Sequence, residues 1–251
     1  MQLTSGQRQK IYDRWHKELY QVNVEESIGR LSRLHRQAIK YLSLNKNSKL
    51  KLLDLACGKG LFLKELRSFD SKLDLYGIDI SKVAIDYAKK IVDSNLKPCD
   101  GENLPFGNNF FDRIICLGGL EYFQDPVKGV IEASRVLKKD GIAVFFVPNL
   151  MFLGYVWLAF RHGIMPTHGG SDRSGKKVYY DYNNEKFFTH KGWIDVLEKG
   201  NLSVIKSYTY TYIGNTRFAN LFILWLYNKV FYKMIPFNLS YSFIFVCKKS
   251  A

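Results

Sequence analysis

The first half of the chain alternates between short apolar runs and stretches of helical periodicity. Residues 51–55 are mostly apolar, and Leu63 and Leu66 then recur at helical spacing. The same switch follows farther along, where residues 73–79 are mostly apolar and residues 83–91 are helical in pattern. A buried run followed by a helix, repeated along the chain, is typical of an α/β protein with a mostly parallel sheet.

The remaining pattern completes this architecture. Apolar runs predict further strands, and helical periodicity predicts helices on both sides of the central region. The motif Lys138-Lys-Asp-Gly141 is predicted to end one helix, and Thr189 to cap another. The predicted strands are 110–117, 142–147, 202–210 and 240–248, and the predicted helices are 7–20, 27–42, 127–137, 151–162, 218–234 and one that begins near Phe188.

A glycine-rich turn joins the first predicted strand to its helix. Gly58 and Gly60 leave space for a ligand to approach the backbone, and the N–H groups of the helix start face the same ligand. About twenty residues later Asp79 ends the second strand, where a carboxylate can accept hydrogen bonds from both ribose hydroxyls. Together they indicate a cofactor that contains adenosine. A plain turn and a solvated acid are the alternatives, and Leu63 stands where a dinucleotide site has its third glycine.

Five motifs follow one another within roughly residues 48 to 148. They are Leu53-Asp-Leu-Ala-Cys-Gly-Lys-Gly60, Gly77-Ile-Asp-Ile-Ser81, Asp100-Gly-Glu-Asn-Leu-Pro-Phe106, Phe111-Asp-Arg-Ile-Ile-Cys116 and Arg135-Val-Leu-Lys-Lys-Asp-Gly141. In order and spacing they resemble the class I S-adenosylmethionine-dependent methyltransferases, in the branch that includes the ubiquinone and menaquinone methyltransferases.

The resemblance implies a fold and a division of the chain. We expect a Rossmann-like, seven-stranded, mostly parallel sheet with helices on both faces and an antiparallel last strand between strands 5 and 6. Residues 1–46 would form N-terminal helices over the cofactor mouth, and residues 47–150 the cofactor-binding core. Residues 151–251 would supply the acceptor and lid segment together with the last strands of the same sheet.

The resemblance also implies a cofactor and its contacts. The cofactor would be S-adenosyl-L-methionine, with S-adenosyl-L-homocysteine as product. Asp100 would receive the adenine amino group, the Gly101 N–H would meet a ring nitrogen, and the Leu117 carbonyl would bind the ammonium of the methionine part. The complete predicted cofactor site is Asp54, Ala56, Gly58, Gly60, Asp79, Ile80, Asp100, Gly101 and Leu117.

The catalytic base is harder to predict. The family often has a histidine where this chain has Tyr122, so no base carries over by resemblance. His168 is the predicted catalytic residue, because it lies in residues 163–184, a Gly- and Tyr-rich stretch that we interpret as a lid. His162 and His190 are further candidates. Tyr12 and His16 on the first predicted helix are interpreted as packing residues, with acceptor contact as the alternative. No Cys/His spacing indicates a metal site.

The net charge of +14 is unevenly distributed. Residues 51–150 carry 14 basic and 14 acidic side chains, so the excess lies in the flanks that would build the acceptor side. This indicates an anionic acceptor or surface, or else lysines that only solubilise the protein. The helix 218–234 has a broad apolar face edged by cations, which fits core packing, a membrane surface or a dimer contact.

Cysteine usage and the N-terminus bear on the compartment. The four cysteines have no paired spacing, the N-terminus is polar, and the apolar runs are too short to span a bilayer. These features predict a cytoplasmic protein, with association at a membrane surface as a further prediction.

The expected activity is methyl transfer to a small-molecule or a lipid- or glycan-linked acceptor, with oxygen as the favoured atom. Alternatives are methylation of carbon in a quinone-like ring or of an amine, an NAD-dependent oxidoreductase, and a non-catalytic adenosyl-binding module. The chain lacks an Asn-Pro-Pro-aromatic tetrad after the fourth strand, which disfavours a nucleic-acid substrate. The sequence does not predict an oligomeric state.

Overall fold

The computed structural model describes residues 3–19, 24–47, 49–152, 185–210 and 235–250. The predicted helix 218–234 and the predicted lid 163–184, with His168 in it, lie outside these residues. So do His162 and the predicted helix 151–162, apart from its first two residues.

The described residues contain six α-helices and seven β-strands. The helices are α1 (Ser5–Leu19), α2 (Val24–Tyr41), α3 (Leu61–Phe69), α4 (Lys82–Ile91), α5 (Pro126–Val136) and α6 (His190–Lys199). The strands are β1 (Lys51–Leu55), β2 (Asp74–Asp79), β3 (Asn95–Pro98), β4 (Phe111–Leu117), β5 (Leu137–Pro148), β6 (Leu202–Tyr210) and β7 (Ser242–Lys249).

The strands form one sheet in the order β3-β2-β1-β4-β5-β7-β6. The first five are parallel, and β7 pairs antiparallel with both β5 and β6. The predicted fold class and the antiparallel last strand are therefore confirmed. The strand order reverses between β1 and β4, and in open α/β sheets such a switch point opens a crevice at the carboxyl ends of the strands.

The sheet is covered on both faces, and the alternation of side chains along its strands shows how. Phe145 belongs to the core cluster that α5 and α6 cover, whereas its neighbour Val144 belongs to the cluster under α2 and α3. Phe243 and Ile244 divide in the same way on β7. Successive side chains of a strand point to opposite faces, so a continuous apolar run fills two cores at once.

Two details differ from the prediction. The strand β3 was not predicted, because it is only four residues long and three of them are exposed, so it carries little pattern. The stretch predicted to end a helix, Lys138–Gly141, instead lies within β5. The helix α5 ends at Val136, and Leu137 already has an extended backbone. Phe111 pairs with Leu137 and Arg113 with Ile142, so the intervening residues form an irregularity in the strand.

Among the described residues no helix has the length and apolar character that crossing a membrane requires.

Candidate functional site

The turn after β1 has the strained backbone that a close ligand approach requires. Ala56, Gly58 and Gly60 all have positive φ angles, of 62°, 50° and 73°. A Cβ on Gly58 would have only the ring of His16 within 4 Å, at 3.9 Å, so this glycine faces open space. A Cβ on Gly60 would lie 2.9 Å from Ala88 Cβ. The first glycine therefore leaves room for a ligand, and the second lets α3 pack against α4.

A cavity of about 460 Å³ opens beside this turn, at the carboxyl ends of β1, β2 and β4. All residues of the predicted cofactor site line it except Gly60, which packs behind the turn. The predicted catalytic residue, His168, lies outside the described residues. The predicted residues that line the cavity are Asp54, Ala56, Gly58, Asp79, Ile80, Asp100, Gly101 and Leu117.

Two buried acids dominate the electrostatics of the cavity. Asp79 accepts hydrogen bonds from the backbone N–H groups of Gly58 at 2.9 Å and Ser81 at 2.8 Å. Burial nevertheless raises the pKa of Asp79 to about 6, because the two hydrogen bonds offset only part of the desolvation. Burial also raises the pKa of Asp54 well above its usual range, and the nearby charge of Asp79 adds to this. A ligand that carries hydroxyl donors or positive charge would stabilise the ionised form of both acids.

The loop after β3 forms one end of the cavity. Asp100 accepts a hydrogen bond from the Glu102 N–H at 3.1 Å, and its other oxygen is bound by the Arg8 guanidinium. Glu102 accepts from Arg8 at 2.6 Å and from the Gln124 N–H at 2.8 Å. A Cβ on Gly101 would lie 2.4 Å from the ring of Phe123, so the loop packs tightly against that ring.

The N-terminal helix α1 closes the cavity through polar contacts at three places. Arg8 binds the Asp100 loop, and the Tyr12 hydroxyl donates to the Tyr122 carbonyl at 3.0 Å. Asp13 accepts from the Ser81 hydroxyl at 2.7 Å and from the Val83 N–H at 3.0 Å, at the start of α4. The helix is thus fixed to the Asp100 loop, to the end of β2 and to the loop after β4.

Histidines reach the cavity from α1 and α2, where none was favoured as a site residue. His16 Nε2 lies 4.0 Å from Asp79 Oδ1, and burial together with the charge of Lys59 lowers the pKa of His16 to about 4. His35 also lines the cavity, with Nδ1 3.0 Å from Glu65 Oε1. His190, a predicted candidate base, packs instead among Phe237, Phe243 and Phe245 and does not line the cavity.

The loop after β4 forms the other end of the cavity. Gly118 has a φ of 76°, and a Cβ on Gly119 would lie 2.4 Å from Ala56 Cβ, so the loop rests on the turn after β1. Glu121 is buried, and Tyr122, which is half-buried, lines the cavity. The cavity therefore has one acidic, backbone-rich end and one end that Tyr122 lines.

Leu63 stands at the position where a dinucleotide-binding site has its third glycine, and it packs in the core. Leu63 is fully buried, and a Cβ on Gly77 of β2 would lie 2.6 Å from its side chain. The close approach of helix and sheet is thus made by a glycine on the strand and a leucine on the helix. No group of three or more His, Cys, Asp and Glu side chains is placed to hold a metal ion in the part of the chain that the structure describes.

Comparison with known proteins adds a family match. Residues 53–145 match the family model described as a methyltransferase domain. The matched region runs from β1 into β5 and contains the turn after β1, Asp79, the Asp100 loop and Leu117.

Curated relatives extend the match. The chain is 30% identical over 158 residues to the ubiquinone/menaquinone biosynthesis C-methyltransferase of Citrifermentans bemidjiense, covering 58% of this chain and 66% of that protein. It is 28% identical over 172 residues to the demethylmenaquinone methyltransferase of Thermotoga maritima, covering 66% of this chain and 74% of that protein.

The fold extends over most of the chain. The structure of geranyl diphosphate C-methyltransferase from Streptomyces coelicolor, in complex with Mg²⁺, geranyl diphosphate and S-adenosyl-L-homocysteine, covers 87% of this chain and 79% of its own. The TM-score is 0.61 at 11% identity, which is a likeness of fold.

Proposed function

Because the chain belongs to the class I S-adenosylmethionine-dependent methyltransferases, in the branch of the ubiquinone and menaquinone enzymes, we propose that it methylates a small molecule with a hydroxylated, hydroquinone-type ring. The methyl donor is S-adenosylmethionine. The observation that carries the proposal is the cavity in which Gly58, Asp79, Asp100 and Leu117 converge at the switch point of the sheet.

The cavity residues divide the cofactor contacts among them. Asp79 is the acceptor for the ribose hydroxyls, and the Gly58 backbone lies beside it. Asp100 and the Gly101 N–H read the adenine edge, as one acceptor and one donor. Asp54 and the Leu117 carbonyl take the ammonium of the methionine part. When bound, the cofactor supplies a methyl group that is already activated on a sulfonium, so these residues have chiefly to orient it.

The charge of the cavity supports this cofactor over a nicotinamide dinucleotide. Burial raises the pKa of Asp54 and of Asp79, so additional negative charge at this point is unfavourable. A dinucleotide brings an anionic pyrophosphate, whereas S-adenosylmethionine brings an ammonium and a sulfonium. The buried Leu63 at the position of the third glycine also argues against a dinucleotide.

The acceptor class rests on the names of the relatives. Both relatives described above are named for methylation in quinone biosynthesis, and the first is named a C-methyltransferase. A hydroquinone presents a ring carbon and a hydroxyl oxygen to the same cavity. Carbon is therefore the proposed acceptor atom, and the sequence-based expectation of oxygen stays a prediction.

Two measurements test the proposal in sequence. Calorimetry with S-adenosylhomocysteine and with NAD should give binding of the first and none of the second. Incubation with tritium-labelled methyl donor and naphthohydroquinone should give a methylated product, and mass spectrometry of its fragments distinguishes C- from O-methylation. Binding of NAD alone would contradict the cofactor assignment. Cofactor binding without turnover of any hydroxylated ring would contradict the acceptor class.

A further inference from the structure

The Tyr122 hydroxyl forms a hydrogen bond with a carboxylate from a distant part of the chain. Tyr122 lines the cavity one short loop after Leu117, and its side chain is hydrogen-bonded to Glu185. Glu185 lies just before α6, more than sixty residues away in sequence. A phenol that faces a cavity and bonds to an acid behind it has the arrangement of a proton relay.

The backbone around this pair is fixed from both sides. The Lys186 N–H donates to the Glu121 carbonyl at 2.9 Å, and the Lys186 ammonium donates to the Phe123 carbonyl at 2.7 Å. On the opposite side the Tyr12 hydroxyl donates to the Tyr122 carbonyl at 3.0 Å. These bonds hold Glu185 beside the Tyr122 side chain and restrict the loop that carries it. The pair is therefore positioned before an acceptor arrives.

The surrounding charges keep the Tyr122 side chain neutral. Burial raises the pKa of Tyr122, and the carboxylates of Glu121 and Glu185 raise it further. The other charged groups near the pair are Lys186 behind Glu185, and Arg8 and Asp79 around Tyr12. A neutral phenol donates one hydrogen bond and accepts another at the same time. It therefore passes a proton on and does not store it.

We propose that Tyr122 and Glu185 form a proton-accepting pair for the hydroxyl group of the acceptor. Tyr122 is the catalytic residue, since it faces the cavity, and Glu185 is the positioning residue that takes up the proton through it. This inference rests on the proposed function and assigns a role to the second end of the same cavity.

The step balances without another reactant. The proton of the acceptor hydroxyl moves to the Tyr122 oxygen while the Tyr122 proton moves to the Glu185 carboxylate. The electron pair left on the acceptor, at oxygen or delocalised to a ring carbon, forms the bond to the methyl carbon. The methyl–sulfur bond breaks with its electron pair on sulfur. Glu185 afterwards releases its proton to solvent, which completes O-methylation. In C-methylation the ring carbon that gained the methyl group then loses its own hydrogen as a proton, the ring oxygen takes up a proton, and the ring regains its aromaticity.

Turnover of naphthohydroquinone tests the relay directly. Tyr122→Phe and Glu185→Gln should each lower kcat about 100-fold or more, with S-adenosylhomocysteine affinity within twofold of the parent. The double variant should be no slower than the worse single variant, because the two residues act as a unit. The kcat–pH profile of Glu185→Gln should differ in shape from that of the parent. The matched control is Tyr76→Phe, which removes a tyrosine–carboxylate bond to Asp74, 3.1 Å long, outside the cavity.

A binding measurement tests the pair without turnover. The probe is para-nitrophenol, added to the protein loaded with S-adenosylhomocysteine, because its absorbance reports its own ionisation. The parent should bind the neutral phenol and reject the phenolate, since the carboxylates of Glu121 and Glu185 repel a further anion. Tyr122→Phe should weaken binding of the neutral form about threefold to tenfold. Glu185→Gln should reduce the discrimination against the phenolate.

The outcomes separate the relay from the proposed function. Cofactor binding and turnover with both variants within threefold of the parent would overturn the relay alone. Cofactor binding without methylation of naphthohydroquinone would overturn the relay together with the acceptor class, and leave the cofactor assignment standing. Failure to bind S-adenosylhomocysteine would overturn the proposed function itself. Equal binding of phenol and phenolate by the parent would also contradict the pair.

Discussion

Replacement of Asp79 by asparagine should change how stability depends on pH. The folded protein raises the pKa of Asp79 from 3.8 to about 6. Between these values the folded carboxyl holds a proton that the unfolded chain has already lost, so the free energy of unfolding falls as pH rises. A shift of about two pKa units corresponds to about 3 kcal/mol. The asparagine has no charge to bury, but it loses an acceptor for the Gly58 or Ser81 N–H, which costs about 1–3 kcal/mol at every pH.

The free energies of unfolding of the parent and of Asp79→Asn, plotted against pH, should therefore cross. Near pH 4 the parent should be the more stable protein, and between pH 4 and pH 8 the difference should move by about 3 kcal/mol in favour of Asp79→Asn. The parent curve alone does not show this effect. Burial lowers the pKa of His16 to about 4, and a lowered histidine pKa makes stability rise with pH in the same window. Only the difference between parent and variant isolates Asp79 and the carboxyl of Asp54 that responds to its charge.

The assay is urea unfolding of both proteins at several pH values, without ligand. Asp86→Asn is the control, because Asp86 is an exposed acid whose pKa is lowered by its hydrogen bond to Lys82. The same series with S-adenosylhomocysteine should show affinity for the parent falling below about pH 6, by up to tenfold per pH unit, and a weak, flat affinity for Asp79→Asn. The reasoning would be refuted if the free energy of unfolding depended on pH equally in parent and variant, or if the ligand affinity of the parent did not depend on pH.

Other substitutions test the two glycines and the helix over the cavity. Gly58→Ala should weaken S-adenosylhomocysteine binding at least tenfold in calorimetry, because the position has a φ of 50° and faces the ligand. Gly60→Ala should instead lower the free energy of unfolding by about 1–3 kcal/mol, because the added Cβ would contact Ala88. Unchanged affinity in Gly58→Ala would contradict the ligand position. Arg8→Met should destabilise the protein by about 3–5 kcal/mol in urea unfolding and speed cofactor dissociation in stopped flow, since it leaves two acids without their cation. Lys10→Met on the exposed side of the same helix is its control, and equal effects of the two would contradict a specific role for Arg8.

The cofactor half of the cavity could be predicted because its chemistry is local. Gly58 and Asp79 are 21 residues apart, and each lies at the carboxyl end of a strand of the same parallel sheet, so their meeting at 2.9 Å follows from the strand–turn–helix repeat. A glycine turn and an acid at a strand end predict a cofactor site even when no tertiary contact is known. The position of Gly60 was predicted less well, because sequence cannot distinguish a glycine that admits a ligand from one that admits a helix.

The contacts that close the cavity could not be predicted in the same way. Arg8 meets Asp100 across 92 residues, and Tyr12 meets Tyr122 across 110. Arg8 reads in the sequence as one basic residue of an amphipathic helix, and nothing local marks it as the partner of a buried acid. Tyr12 and His16, interpreted from the sequence as packing residues, are half-buried and buried in the structure and also line the cavity. A pattern of apolar positions tells which face of a helix is covered but not which groups meet it.

The basic flanks and the carboxylates near Tyr122 together indicate which part of the acceptor can be charged. The basic excess of the flanks predicts an anionic acceptor or surface, yet the described residues around Tyr122 include the carboxylates of Glu121 and Glu185. An anion at the reacting ring would meet these two acids at close range, where burial strengthens the repulsion. The reacting hydroxyl should therefore arrive neutral, and any phosphate or lipid headgroup should lie away from Tyr122. An acceptor with a neutral ring and a distant anionic group would satisfy both conditions.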